Sequence, residues 1–222
     1  MHVKWHGQSA FTLTTPEAKV TIDPFGDMEL AKQRGLRFDY PPIEVDEADL
    51  LLVTHEHRDH NGVEAIGGEP EILRSTAGRL ESPIGEVLAV ASEHDAAAGT
   101  ERGPNTIFAF ELDELRVAHF GDFGQSELRE EQAAAIGGVD LLFLPIGGGP
   151  TIDATAAATI AERLSPRWVV PMHYRTHRTD FLDSEEEFLG LIARVERLEA
   201  AGFDTADLGT AGGPIAVVPA AP

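Results

Sequence analysis

Thr54-His55-Glu56-His57-Arg58-Asp59-His60 sets three histidines and two acids within seven residues. Leu50-Leu51-Leu52-Val53, a continuous apolar run between Asp49 and Thr54, leads straight into it and reads as a buried strand. A tight loop leaving such a strand can aim His55 and His57 at one metal ion and Asp59 and His60 at a second. Imidazole and carboxylate are suitable ligands for zinc, manganese or iron. One surface histidine carries little meaning, but this run of histidines with an aspartate would be an odd surface loop, and a metal site is the better reading.

Two ions need more ligands than one loop supplies, and further candidates stand at the ends of strand-like runs. His94 follows Val87-Leu88-Ala89-Val90-Ala91-Ser92, Asp122 follows Val117-Ala118-His119-Phe120-Gly121, and His173 follows Val169-Val170-Pro171-Met172. Gly121 would let the backbone approach closely there. The recurrence puts candidate ligands on one edge of a β core, a common position for an active site.

The rest of the chain supplies the layers. Ala10–Leu13 and Val20–Ile22 flank the turn Thr15-Pro16-Glu17 and read as a hairpin, with further strands expected at 71–74, 87–90, 106–110, 115–119, 141–144, 168–170 and 215–219. Helices are expected over 127–136, over 154–164 behind an Asp153 N-cap, and over 184–201 with Gly202 beyond. Phe188, Leu191, Ile192, Val195 and Leu198 give the last of these an apolar face at helical spacing. No repeat or linker divides the 222 residues, so one layered α/β domain over 1–222 is expected.

Composition narrows the function. Acids number 38 against 17 bases, of which only Lys4, Lys19 and Lys32 are lysines, for a formal charge of −21. A field of that sign repels nucleic-acid phosphates and anionic membranes, and its Lys-poor, acid-rich character favours a halophilic, salt-adapted surface. The absence of cysteine excludes thiolate metal sites and cysteine nucleophiles, so any metal is held by His, Asp or Glu. No apolar run is long enough for a membrane span, and Met1–His6 lacks the apolar stretch of a secretory signal, so a cytoplasmic protein is expected.

His55-Glu56-His57-Arg58-Asp59-His60 resembles the signature of the metallo-β-lactamase superfamily, whose fold is a four-layer αββα sandwich. Gly7-Gln8-Ser9-Ala10-Phe11, Ile22-Asp23-Pro24, Ser92-Glu93-His94-Asp95 and Arg102-Gly103-Pro104-Asn105-Thr106 resemble the small metal-dependent hydrolases of the ascorbate-6-phosphate-lactonase-like branch. So do His119-Phe120-Gly121-Asp122, Leu144–Gly149 and Val170-Pro171-Met172-His173-Tyr174, all in the expected order from about residue 3 to 178. The resemblance implies one ion held by His55, His57 and His94, a second by Asp59, His60 and His173, Asp122 bridging both, and Asp23 bracing the metal loop. Two departures touch the substrate side: Gln125 stands where relatives often carry a histidine, and Gly149-Pro150 alters the loop before Thr151.

Two divalent cations, zinc first and manganese or iron next, would share a water and lower its pKa toward about 7. The expected activity is hydrolysis by metal-bound hydroxide of an ester, lactone, thioester, amide or phosphodiester bond in a small substrate, with Asp59 the catalytic residue that orients the nucleophile. Alternatives are a metal-dependent nuclease, which the charge opposes, and a non-catalytic metal-binding protein that keeps the fold. Tyr174 is a candidate oxyanion donor, and Arg175, His177 and Arg178 form a small cationic cluster near the expected site. His119 reads as structural, and Gly147-Gly148-Gly149 as a turn passing close to the metals.

Overall fold

A computed structural model describes residues 1–210 and 212–222. The first sheet comprises β1 (His2–Gly7), β2 (Ala10–Thr14), β3 (Lys19–Ile22), β4 (Leu50–Val53), β5 (Glu71–Arg74) and β13 (Gly202–Asp204), in the order β13-β1-β2-β3-β4-β5. The second comprises β6 (Gly78–Ser82), β7 (Gly85–Glu93), β8 (Pro104–Leu112), β9 (Leu115–His119), β10 (Leu141–Pro145), β11 (Trp168–Met172), β12 (Arg194–Arg197) and β14 (Ile215–Val218). Its order is β12-β14-β11-β10-β9-β8-β7-β6.

β4 shows why its sequence is apolar throughout. Side chains alternate across a strand, and here both faces are covered. Leu50 and Leu52 enter the core between the sheets, while Leu51 and Val53 join a second cluster with Phe25, Phe38, Tyr40, Ile43 and Val45. The sheets meet through aromatic contacts such as Phe11 on Phe143, ring centroids 4.4 Å apart. The fold is the αββα sandwich, with unequal outer layers. Helices α2 (Glu130–Ile136), α3 (Ala154–Leu164) and α4 (Glu186–Leu191) accompany the second sheet, α2 touching β7 and α3 touching β10. Over the first sheet lies mainly the irregular segment 24–49, whose α1 spans only Glu29–Gln33. Asp153 caps α3 as expected, its Oδ1 accepting the Ala156 N–H at 2.9 Å.

The helix expected over 184–201 is corrected. It stops at Leu191; Ile192 is extended, and Arg194–Arg197 pairs in parallel with Ile215–Val218. Of the apolar positions at helical spacing, Leu191 and Val195 are exposed rather than buried. The apolar strand β14 would otherwise carry unpaired backbone groups along one side, and satisfying them outweighs the local helical pattern.

Direction sets the site. β3 and β4 are parallel, as are β9, β10 and β11, and β7 runs with β9 because β8 is antiparallel to both. The carboxyl ends of these strands deliver the loops that carry every candidate ligand. Among the described residues, no helix is long and apolar enough to cross a membrane.

Candidate metal centre

His55, His57, Asp59 and His60 leave β4, His94 follows β7, Asp122 lies just beyond β9, and His173 directly follows β11. The structure brings all seven together. Ligand-type atoms of His55, His57 and His94 form one group, and those of Asp59, His60, Asp122 and His173 a second, each within 4.8 Å of one another. Asp122 faces both. Its Oδ2 lies 3.1 Å from His94 Nε2 and 3.2 Å from His173 Nε2, and its Oδ1 lies 3.2 Å from His60 Nε2. His55 Nε2 and His57 Nδ1 are 3.0 Å apart.

Hydrogen bonds at the far side of the rings fix where their lone pairs point. His94 Nδ1 stands 3.0 Å from the Pro150 carbonyl, which can only accept, so Nδ1 carries the proton and Nε2 presents its lone pair to Asp122. Thus the Gly149-Pro150 departure supplies the acceptor that orients a ligand. Thr54 Oγ1 donates to Asp23 Oδ2 at 2.7 Å and so accepts from His55 Nδ1 at 3.1 Å, which leaves His55 Nε2 bare toward the centre. His60 Nδ1 donates to the same Asp23 carboxylate at 2.9 Å. Lone pairs facing a carboxylate repel it unless a cation lies between, and His60 Nε2 and Asp122 Oδ1 are indeed buried without a hydrogen-bond partner. The donor set fits divalent cations, with outer partners of the kind that orient metal ligands.

The titration directions agree. Burial disfavours a charged His60, yet Asp122, Asp59 and Asp23 outweigh it and raise its pKa well above the ordinary value. Burial likewise pushes Asp122 upward, but His173 and His60 hold its carboxyl well below the usual range. His55 and His57 are lowered, first by burial and then by neighbouring histidines, which suits neutral ligands.

The backbone is shaped for the purpose. Gln8, Asp23 and His173 have φ of 52, 48 and 51°, a left-handed conformation that non-glycine residues adopt at a cost. At Gly121 (φ 55°) a Cβ would press on Thr54 and Asn105, whose Oδ1 accepts the Asp122 N–H at 3.0 Å. Gly147 passes so close to the His173 carbonyl that a Cβ would collide with it, in keeping with the expected tight turn.

A cavity of about 190 Å³ opens on the centre. His57, Asp59, His94, Asp122 and His173 line it together with Met28, Ala31, Leu36, Phe38, Arg102, Pro150 and Phe181. Among the described residues, three larger clefts are lined by none of the seven candidate ligands. Tyr174 is not brought to this cavity: it stacks on Trp5 at 5.7 Å, and burial pushes its phenol far above the usual range. Arg175 and His177 line a separate cleft beside Tyr174, and Arg178 donates to the Pro222 carbonyl, so the expected cationic cluster lies outside the cavity lining. His119 is buried with Nε2 on the Ser9 carbonyl at 2.9 Å, a structural residue as expected. Gln125 binds Gln132 and the Glu127 carbonyl, at the start of α2. Sequence reasoning gave no role to Gln8, whose Nε2 donates to Asp59 Oδ2 at 3.2 Å, or to Arg102. Both lie in the quoted motifs, but neither is a metal-ligand residue type.

Fold and centre together define a metal-binding αββα protein, and comparison gives the family. Residues 2–173 match the family model of the beta-lactamase superfamily domain, and the chain belongs to the metallo-β-lactamase superfamily. It is 33% identical over 217 residues to a UPF0173 metal-dependent hydrolase of Thermococcus kodakarensis, covering 83% of this chain and 89% of that protein. A UPF0173 protein of Pyrococcus furiosus is 31% identical over 193 residues, covering 80% of this chain and 85% of the relative. A Thermotoga maritima crystal structure, described as a candidate zinc-dependent hydrolase of the same superfamily, shares the fold at a TM-score of 0.77, with 24% identity and 98% of each chain covered.

Proposed function

We propose that this chain is a metal-dependent hydrolase that cleaves an ester, lactone, amide or phosphodiester bond in a small substrate at a two-cation His/Asp centre. The family and the printed names of the UPF0173 relatives support the hydrolase class. The observation that carries the reading is the convergence of two groups of ligand-type atoms at Asp122, with the far ring nitrogens of His55, His60 and His94 held by Thr54, Asp23 and the Pro150 carbonyl. His55, His57 and His94 would hold one ion, Asp59, His60 and His173 the other, and Asp122 both. Zinc suits the nitrogen-rich group best, with manganese or iron also compatible. Such a pair supplies Lewis acidity and a water that ionises near neutral pH.

The protein's own contribution is placement. Asp59 and Asp122 both line the cavity; Asp59 is the less buried of the two, and Gln8 holds its Oδ2. There it would orient the attacking water by hydrogen bonding. Met28, Leu36, Phe38 and Phe181 give the cavity an apolar wall, of which Leu36 and Phe181 are exposed. The small volume favours a small substrate, and the −21 charge disfavours a polyanion.

Elemental analysis of purified wild type, His57→Ala and Asp122→Ala, with a hydrolysis panel of activated esters, lactones and phosphodiesters, tests the reading. Wild type should carry metal and turn over part of the panel. Both variants should lose metal, and turnover should fall by at least about a hundredfold. Full metal occupancy in both, or a metal-loaded wild type inert on the whole panel, would overturn it.

A further inference from the structure

Arg102, an exposed residue, is the only lysine or arginine among the described residues lining the metal cavity, and among the described residues its guanidinium has neither an ion pair nor a hydrogen bond. Apart from the candidate ligands, the rest of the lining is apolar: Met28, Ala31, Leu36, Phe38, Pro150 and Phe181.

The chain fixes the base of this side chain with care. Directly after His94, the Asp95 carboxylate accepts the N–H groups of Ala97 at 2.8 Å, Gly99 at 2.9 Å, Glu101 at 3.1 Å and Arg102 itself at 2.8 Å. Gly103 N–H donates to the Gly99 carbonyl at 3.0 Å, and His94 N–H to the Gly103 carbonyl at 3.1 Å. The loop 95–103 is therefore locked to itself and to a candidate ligand, and the Arg102 backbone keeps a fixed place relative to the centre.

Resting on the metal-centre reading above, we propose that Arg102 is a substrate-recognition residue. The substrate is a small molecule bearing an anionic group, a carboxylate or phosphate monoester, on a short apolar stem. The guanidinium fork pairs with either anion through two parallel hydrogen bonds. The apolar wall takes the stem, and the reacting bond lies at the cation centre. A chain of this net charge repels anions at long range, so an anionic substrate needs a local cation besides the metals to be selected.

Equilibrium binding to the metal-loaded protein tests this without turnover. Calorimetric titration compares short α,ω-dicarboxylates with monocarboxylates of equal chain length, and a parallel arm uses ω-phosphonocarboxylates. One carboxylate of each ligand can engage the metals, so the second anionic group reports Arg102. Wild type should prefer doubly anionic ligands by about tenfold at the best chain length. Arg102→Gln should abolish that preference, and Arg102→Lys should keep part of it. The arm with the larger preference tells carboxylate from phosphate. Equal or undetectable binding of both series by wild type, or a preference intact in Arg102→Gln, overturns the proposal. Elemental analysis and the hydrolysis panel read the centre separately, so failure of the hydrolase reading is distinguishable from failure of this one.

Discussion

Asp23 accepts from the Thr54 N–H at 2.8 Å, from Thr54 Oγ1 at 2.7 Å and from His60 Nδ1 at 2.9 Å, and through Thr54 it also orients His55. One buried carboxylate thus sets two candidate ligands in different metal groups. Asp23→Asn keeps the volume and tolerates the left-handed backbone, but replaces one acceptor oxygen with a donor. We expect metal affinity to fall about 10–100-fold with the fold intact, measured by competition with a chelator. Unchanged affinity would remove the bracing role. His6 offers a test away from the metals. Burial, with a smaller effect of Lys4, lowers its pKa from 6.5 to about 4, and its Nε2 meets Thr12 Oγ1 at 2.8 Å. Between those two values the unfolded chain binds a proton that the native chain does not, so stability falls as pH drops below 6.5. The slope approaches about 1.4 kcal/mol per pH unit and the loss saturates below about pH 4 at roughly 3 kcal/mol. Denaturant titrations of metal-loaded wild type and His6→Gln should therefore converge in stability as pH falls from 7 toward 4. Parallel acid slopes in the two proteins would contradict this.

At the scale of elements, the turn after β9 shows how a strand end becomes a site. Gly121 has φ 55° and no room for a Cβ between Thr54 and Asn105, and Asp122 is the next residue. Gly121→Ala should cost about 2 kcal/mol or more, from left-handed strain plus the clash, and should weaken metal binding as Asp122 shifts. Asp153→Ala, at the N-cap of α3, should cost about 1 kcal/mol and leave metal content unchanged. Thermal unfolding with elemental analysis separates the two outcomes, and loss of metal in Asp153→Ala would show that α3 supports the centre. The same scale explains what was legible in the sequence. The ligand loop could be read because residues 54–60 are contiguous and chemically unusual, and His94, Asp122 and His173 because each ends an apolar run. The strand at 194–197 could not, because its partner 215–218 is remote and the local apolar spacing imitates a helix. Arg102 and Gln8 are ordinary residue types whose placement depends on the Asp95-centred loop and on the β1–β2 turn. Tyr174 shows the converse, since adjacency to His173 does not stop the strand end from turning its ring onto Trp5.

At the scale of the whole molecule, the charge is the property the fold does not explain. Two divalent ions offset only four of the excess negative charges in a formal −21, and the centre directly involves only Asp23, Asp59 and Asp122 among the acids. Pairs such as Arg74–Glu56, Arg129–Glu93 and Arg197–Glu185 sit at the surface, where such pairs are individually worth about 0–1 kcal/mol. The remaining acids repel one another, and that repulsion opposes the compact state more than the expanded one. Raising ionic strength to about 1 M shortens the screening length to about 3 Å and removes most of it. The unfolding midpoint of the metal-loaded protein should therefore rise from dilute buffer to molar potassium chloride. Sodium chloride should reproduce the rise, since screening depends on ionic strength rather than on the ion. An uncharged excluded solute such as sucrose separates screening from general burial effects: salt should raise the midpoint of a variant with surface acids neutralised less than that of wild type, while sucrose raises both equally. Equal stability of wild type in dilute buffer and molar salt would mean that the acid surface is not an adaptation to salt.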